Sequence, residues 1–262
     1  MNPALSKRNE RIQSMDILKL FAIFLVIYGH AIQHLLSSPA VEHPMFRLLH
    51  SFHMPLFMAI SGFFAASLRR LAVKEFFVKK GRQLLIPAVS ASLLVVLISY
   101  VLGDTVSKEY YIYGIWFLKS LFLCSLLYYV SSRFKRYSLM AFMVSLLVSQ
   151  ILPYLYLPTM YPAFLMGAVL RSQWPWFKNH LSVITVISGI AFVGLLLFLD
   201  EGDFIQISTT VALKPLLTNG DASQILELAS IRYYRVAVGL AGALFFILLF
   251  ECVVNQLVKR GG

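Results

Sequence analysis

The apolar segment that begins near residue 15 contains several side chains capable of proton transfer. Asp16, Lys19, His30 and His34 recur within it at helical spacing. A helix turns about 100° per residue, so Lys19 and His30 share one face to within about 20° and lie roughly 16 Å apart along the axis. Imidazole titrates nearest to neutrality, which makes His30 the candidate general base. Lys19 is expected to stabilise negative charge, with Asp16 one turn before it.

A second group of candidate residues lies in the next apolar segment. His50 and His53 are three residues apart and therefore share one helical face. They are expected to meet the outer end of the first segment, where two or three imidazoles would share one cavity and position a substrate together with Ser61. No carboxylate or cysteine accompanies them at a ligand spacing, so no metal site is predicted. Pro55 and Gly62 predict a kink that opens this segment toward the cavity.

Two further sets of residues are candidates for binding. Lys79, Lys80 and Arg82 precede the third apolar segment, and clustered basic groups hold phosphate through charge-assisted hydrogen bonds. The ordinary charge asymmetry of membrane proteins explains such a cluster equally well. Trp116 and Lys119 fall near the predicted outer interface. Two interpretations of these residues remain open, an aromatic belt at the interface and a functional role.

The elements that must position these residues are apolar helices. The chain has 262 residues, of which 59% are hydrophobic and 13% charged, with a mean hydropathy of +0.75. Soluble domains carry about a quarter charged residues. Runs long enough, or nearly long enough, to cross a bilayer occupy Ile17–Leu36, His50–Leu68, Leu84–Leu102, Ile112–Val130, Ser138–Leu152, Leu155–Leu170, Leu181–Leu199 and Val236–Leu257. We predict an all-α polytopic membrane protein with about eight transmembrane helices.

The placement of charge predicts how these helices are oriented. Basic residues concentrate in the N-terminal segment, between Arg69 and Arg82, after the fourth and sixth runs, and at the end of the chain. If eight spans alternate, all these segments lie on one side, and basic bias marks the cytoplasmic side. Both termini are therefore expected in the cytoplasm and the protein in the plasma (inner) membrane. Topology accounts for the net charge of +11, so nucleic acid is not a predicted partner.

Membrane burial also favours a functional interpretation of the polar stripe. Ionisable side chains inside a span are costly and usually face an aqueous cavity. Two alternatives remain open: Asp16 and Lys19 extend to the membrane interface, or His30 packs against a neighbouring helix. The connection from Asp200 to Tyr234 is expected to form a long external loop.

Several blocks of the chain resemble the acyltransferase 3 family of membrane acyltransferases. The first two blocks, Met15–His30 and His50–Phe64, are the most specific. Lys79–Pro87, Ile115–Leu118 and Tyr161–Gly167 follow in the order that the family shows. The resemblance covers roughly residues 11–170 and implies a single transmembrane acyltransferase-like domain over residues 1–262.

The resemblance implies an enzyme that transfers acyl groups other than amino-acyl groups. It would move an acyl group, commonly acetyl, from cytosolic acyl-coenzyme A to a hydroxyl of a sugar or cell-surface glycan precursor. No tightly bound cofactor is expected, because acyl-coenzyme A is a co-substrate; membrane lipids and the glycan acceptor are the other expected partners. The family's basic residue and histidine fall on Lys19 and His30, and its paired basic motif falls on Lys79 and Arg82.

The chain is short relative to the family, whose members usually have about ten spans. We expect either a short variant or a truncated chain, and the second case includes an inactive protein. A proton-coupled transporter or flippase is the alternative from another class, in which the polar stripe would form a proton relay and broken helices near Pro153–Pro162 would line the pathway.

Overall fold

The computed structural model describes residues 13–35, 40–103, 116–134, 138–151, 156–199 and 222–261. These residues form ten α-helices: α1 (Gln13–Leu35), α2 (Pro44–Phe63), α3 (Val73–Lys80), α4 (Ile86–Leu102), α5 (Trp116–Ser131), α6 (Ser138–Ile151), α7 (Leu157–Ser172), α8 (Trp174–Asn179), α9 (Leu181–Leu196) and α10 (Ala222–Gly261). Two 3₁₀ turns, Ala40–Glu42 and Ala65–Arg70, and a π-helical turn, Gly81–Leu85, complete these described elements.

The all-helical prediction is confirmed for the described part of the chain. Each of the eight apolar runs coincides with a helix along most of its length. Among the described residues, three helical stretches are long and apolar enough to cross a membrane, namely Gln13–Leu35, Val73–Val101 and Ala229–Val258. The count of eight spans and the cytoplasmic placement of the termini stay predictions. The predicted loop that ends at Tyr234 is corrected at its end, because α10 already begins at Ala222.

Helix α2 is the centre of the bundle and packs against α1, α7 and α10. Two glycines let α2 and α7 cross at backbone contact. A Cβ on Gly62 would lie 1.8 Å from the carbonyl oxygen of Phe164, and a Cβ on Gly167 would lie 1.8 Å from that of Ala59. Gly62 therefore serves a close helix crossing, and α2 runs on as one helix through Pro55.

The last helix, α10, crosses α2 through glycines as well. A Cβ on Gly239 would lie 2.7 Å from Cγ of Pro55, and one on Gly242 would lie 2.6 Å from Cβ of Phe52. Phe52 also stacks on Phe246 at a centroid distance of 4.5 Å. These contacts belong to a core between α1, α2, α9 and α10.

A second core lies between α2, α3, α5 and α7. Phe76 of α3 is fully buried there and stacks on Tyr129 of α5 at 4.3 Å. After α3 the chain passes through the π turn directly into α4. Pro87 has no N–H, and its ring would collide with the carbonyl of residue 83 in a regular helix, so the wider π turn relieves that collision.

A buried carboxylate joins three elements at one end of the bundle. Glu251 of α10 is 3% exposed. It accepts a hydrogen bond from Ser14 Oγ of α1 at 2.5 Å and lies 3.1 Å from Lys178 Nζ of α8. The first turn of α1, the helix after α7 and the end of α10 thus meet at one end.

Candidate functional site

A cavity of about 430 Å³ brings together side chains from α1, α2, α3, α5 and the π turn. Its polar lining consists of Lys19, Ser61, Ser67, Lys79, Lys80 and Gln83, and Phe64 and Leu121 supply part of its apolar wall. We call it the lysine cavity. Three ammonium groups on one small cavity create a positive potential suited to an anionic ligand.

Lys19 is held at this cavity by contacts on both sides of its side chain. Its Nζ donates to Oδ1 of Asp16 at 3.3 Å and lies 4.4 Å from the ring centroid of Phe64. Met15 and Leu18, which lie about 40° and 100° around the helix from Lys19, are fully buried in the core and define the packed face of α1. Burial of that face fixes the rotation of α1 and therefore directs Lys19 toward the cavity.

Lys79 and Lys80 reach the cavity because α3 is anchored beneath them. Phe76, one turn earlier, is fully buried against α5, and Leu84 of the π turn is buried as well. Lys80 is half-buried, and Lys79 is exposed. Arg82 is exposed and does not belong to the cavity lining.

Ser61 lies in a different group from the one expected. The sequence grouped it with His50 and His53, but the structure places it in the lysine cavity. Eight residues separate Ser61 from His53, which is about 12 Å along a helix. The last turn of α2 lies beside the first turns of α1, since α2 runs antiparallel to α1.

The histidines gather at the opposite ends of α1 and α2. The rings of His50 and His53 approach edge to face at a centroid distance of 4.6 Å. His50 Nδ1 lies 3.1 Å from the carbonyl oxygen of Phe46, and His53 Nδ1 lies 2.6 Å from that of Leu49. A carbonyl only accepts, so each Nδ1 donates its proton, and in the neutral ring Nε2 keeps the lone pair.

His30 of α1 belongs to the same histidine cluster, which we define as His30, His50 and His53. His30 lies near both other rings. Close approach of the two helices is possible because Gly29 has no side chain, and its Cβ position lies 3.1 Å from His50 Cε1. His30 itself is exposed and stacks on His34 at 6.1 Å.

Sequence reasoning did not identify every residue that approaches these two groups. Arg235 of α10 lies near His50, while Gln83 and Phe64 line the lysine cavity. Arg235 could have been found from the sequence, because it is a basic residue at the predicted outer end of the last helix, on a side where basic residues are scarce.

Trp116 and Lys119 lie outside the lysine cavity. The Trp116 ring packs on Tyr156 at a centroid distance of 4.4 Å, and both Trp116 and Lys119 are half-buried. Within the described residues, no three histidine, cysteine, aspartate or glutamate side chains converge in a way that could hold a metal ion.

Both polar groups lie within the part of the chain that matches a known family. The sequence pattern of the acyltransferase 3 family, described as an acyltransferase domain, matches residues 12–260. The chain belongs to this family. It is therefore a member of a membrane acyltransferase family, and its apolar helices agree with that setting.

Two curated relatives resemble part of the chain. Nodulation protein NolL of Mesorhizobium japonicum is 37% identical over 83 residues, which are 30% of this chain and 22% of that protein. Nodulation protein NolL of Sinorhizobium fredii is 39% identical over 61 residues, which are 22% of this chain and 17% of that protein. The matched segments thus span about a fifth of each relative. No solved structure matches the chain significantly.

Proposed function

We propose that this protein transfers an acyl group, acetyl in the first instance, from cytosolic acyl-coenzyme A to a hydroxyl of a sugar or cell-surface glycan precursor. One observation carries the proposal: α1 holds a lysine-lined cavity near its first turns and a histidine cluster near its last. The two lie roughly 16 Å apart along that helix. One end is suited to an anionic donor and the other to a hydroxyl acceptor.

The lysine cavity supports binding of the donor. Coenzyme A carries several phosphates, and Lys19, Lys79 and Lys80 line one cavity of about 430 Å³. Charge-assisted hydrogen bonds from these ammonium groups would hold the phosphates. Ser61 contributes a hydroxyl on the donor side in this arrangement, in place of the acceptor role expected from its position in the sequence.

The histidine cluster supports activation of the acceptor. His30 removes the proton from the acceptor hydroxyl while its oxygen attacks the thioester carbonyl carbon. The carbon–sulfur bond then breaks, the acyl group remains on the acceptor, and the sulfur leaves as the thiol by taking the proton that His30 had removed. His50 and His53, through Nε2, accept hydrogen bonds from other acceptor hydroxyls and orient the sugar. A transient acyl-histidine is the less favoured variant.

The decisive experiment follows labelled acetyl from acetyl-coenzyme A into the glycan fraction of membranes that contain this chain. We expect label with the wild type and a fall of about 10²–10⁴-fold with His30→Ala, the range for loss of a general base. His180→Ala is the matched control, because His180 is exposed at the start of α9. Normal transfer by His30→Ala together with loss in Lys19→Ala would overturn the assignment of the base.

The same membranes separate this proposal from its alternatives. Binding of coenzyme A without transfer indicates an inactive acyltransferase, and absence of binding removes the donor assignment altogether. Proton-coupled uptake into vesicles would identify a transporter instead, in which the polar face of α1 relays protons.

A further inference from the structure

An apolar groove of about 330 Å³ lies between α5 and α6, apart from both polar groups. Most of its wall consists of apolar side chains, namely Leu127, Val130, Phe134, Met140, Val144 and Val148. The two serines of the wall use their hydroxyls internally. Ser131 Oγ donates to the carbonyl of Tyr128 at 3.0 Å, and Ser145 Oγ lies 2.8 Å from the Tyr161 hydroxyl. The groove therefore presents a hydrocarbon surface.

Two arginines stand at one end of this groove. Arg133 directly precedes Phe134, and Arg69 lies 5.6 Å from the ring centroid of Phe142, the residue after the groove residue Ala141. Both arginine side chains are exposed. In the part of the chain that the structure describes, neither guanidinium is paired with a carboxylate.

The arginines are held in place while keeping donors available. Arg69 Nε donates to the Tyr128 hydroxyl at 2.9 Å, which leaves its two terminal nitrogens for a ligand. Arg133 Nη2 donates to the carbonyl oxygen of Leu71 at 2.5 Å and to the Tyr129 hydroxyl, which leaves Nη1 and Nε. Two preorganised guanidinium groups match a phosphate through paired hydrogen bonds.

We propose that this surface binds an anionic phospholipid, with one acyl chain in the α5–α6 groove and the phosphate on Arg69 and Arg133. The combination of a hydrocarbon groove with two positive charges at its end is complementary to an amphiphile of that charge. The site shares no lining residue with the lysine cavity. Lipid binding at this site can therefore be tested independently of the proposed acyl transfer.

The test measures lipid retained by the purified full chain with native mass spectrometry. The detergent-solubilised protein is titrated with phosphatidylglycerol and phosphatidylcholine of identical acyl chains. We expect preferential retention of phosphatidylglycerol, and a fall of about tenfold or more in that preference in the double variant Arg69→Gln and Arg133→Gln. Arg70→Gln is the matched control, because Arg70 is exposed on the same 3₁₀ turn as Arg69.

A second variant tests the groove while keeping both arginines. Ala141→Phe fills the groove, and we expect it to reduce retention of both lipids while the thermal midpoint in lipid-free detergent stays unchanged. Equal retention of the two lipids by the wild type would overturn the proposal. Displacement of phosphatidylglycerol by inorganic phosphate alone would also overturn it, because the acyl chain would then contribute nothing.

Discussion

The lysine cavity and the histidine cluster occupy opposite ends of the same helix pair, yet they are built differently. The cavity combines α1 and α2 with three further elements, α3, the π turn and α5. The cluster consists of His30 from α1 and two histidines one turn apart on α2. The cavity thus depends on the packing of many elements, whereas the cluster depends on two helices. Damage to packing is therefore expected to reach the lysine cavity first.

The largest effect is expected where α2 meets α7, because both polar groups depend on that crossing. Gly62→Val places side-chain atoms where the carbonyl of Phe164 lies, so the helices must separate. We expect a loss of stability of at least about 2 kcal/mol, typical of overpacking, and loss of transfer activity. The thermal midpoint of the detergent-solubilised protein measures it.

Gly194→Ala is the control for this crossing, because a Cβ there has no neighbour within 4 Å in the described structure. A wild-type thermal midpoint for Gly62→Val would show that the crossing is not tight.

The next largest effect is expected in the KM for one substrate only, which would show that the two polar groups bind different ligands. Lys80→Gln removes one charged donor from the lysine cavity, and such hydrogen bonds contribute about 1.5–3 kcal/mol. We expect the KM for acyl-coenzyme A to rise about 10- to 100-fold, with the KM for the acceptor unchanged. Lys74→Gln, on the same helix but outside the cavity lining, is expected to change neither constant. Equal changes in both KM values would show that the two groups act as one site and would contradict this account.

The converse experiment changes the histidine cluster. His53→Asn keeps a side chain that can donate to the carbonyl of Leu49 and removes the Nε2 acceptor. We expect the KM for the acceptor to rise about tenfold, in line with one hydrogen bond of about 1 kcal/mol or slightly more. Binding of coenzyme A, measured by calorimetry, should match the wild type. Weaker coenzyme A binding in this variant would contradict the separation.

The smallest effect is expected from a residue that lines neither the lysine cavity nor the histidine cluster. Glu251→Gln keeps the contact to Ser14 but removes the charge that pairs with Lys178. Because Lys178 is half exposed, the loss is expected to be below about 1 kcal/mol. The hydrogen bond that Ser14 donates is weaker to a neutral amide oxygen than to a carboxylate, and Ser14 lies five residues before Lys19. The KM for acyl-coenzyme A should therefore rise about two- to threefold while the KM for the acceptor stays constant. Lys74→Gln again provides the reference, and a change in the acceptor constant alone would be contrary to this account.

Local pattern was sufficient to predict the helices and part of the site. Apolar runs predict helices because a membrane span must satisfy its own backbone hydrogen bonds. Helical periodicity also placed Lys19 and His30 on one face of α1. The grouping of Ser61 with the histidines was wrong because α2 runs antiparallel to α1. The end of α2, where Ser61 lies, therefore meets the beginning of α1 and not its end.

Other features depend on partners that the sequence does not name. The sequence predicted a kink at Pro55 and Gly62, and the role of Gly62 became clear only with Gly167 of α7 opposite it. Glu251 and Lys178 pair across 73 residues of chain. Arg82 lies on the π turn outside the cavity lining, whereas Gln83 on the same turn lines the cavity.

The π turn also has a consequence for the length of the chain. It contains one residue more than a regular helix would use to cover the same rise. A change that converted the turn into a regular helix without removing a residue would rotate every side chain before the turn by about 100° relative to α4. Lys79 and Lys80 would then leave the cavity although neither had been substituted. Deleting one residue between Gly81 and Leu85 would instead remove the extra residue and keep both lysines near their present directions.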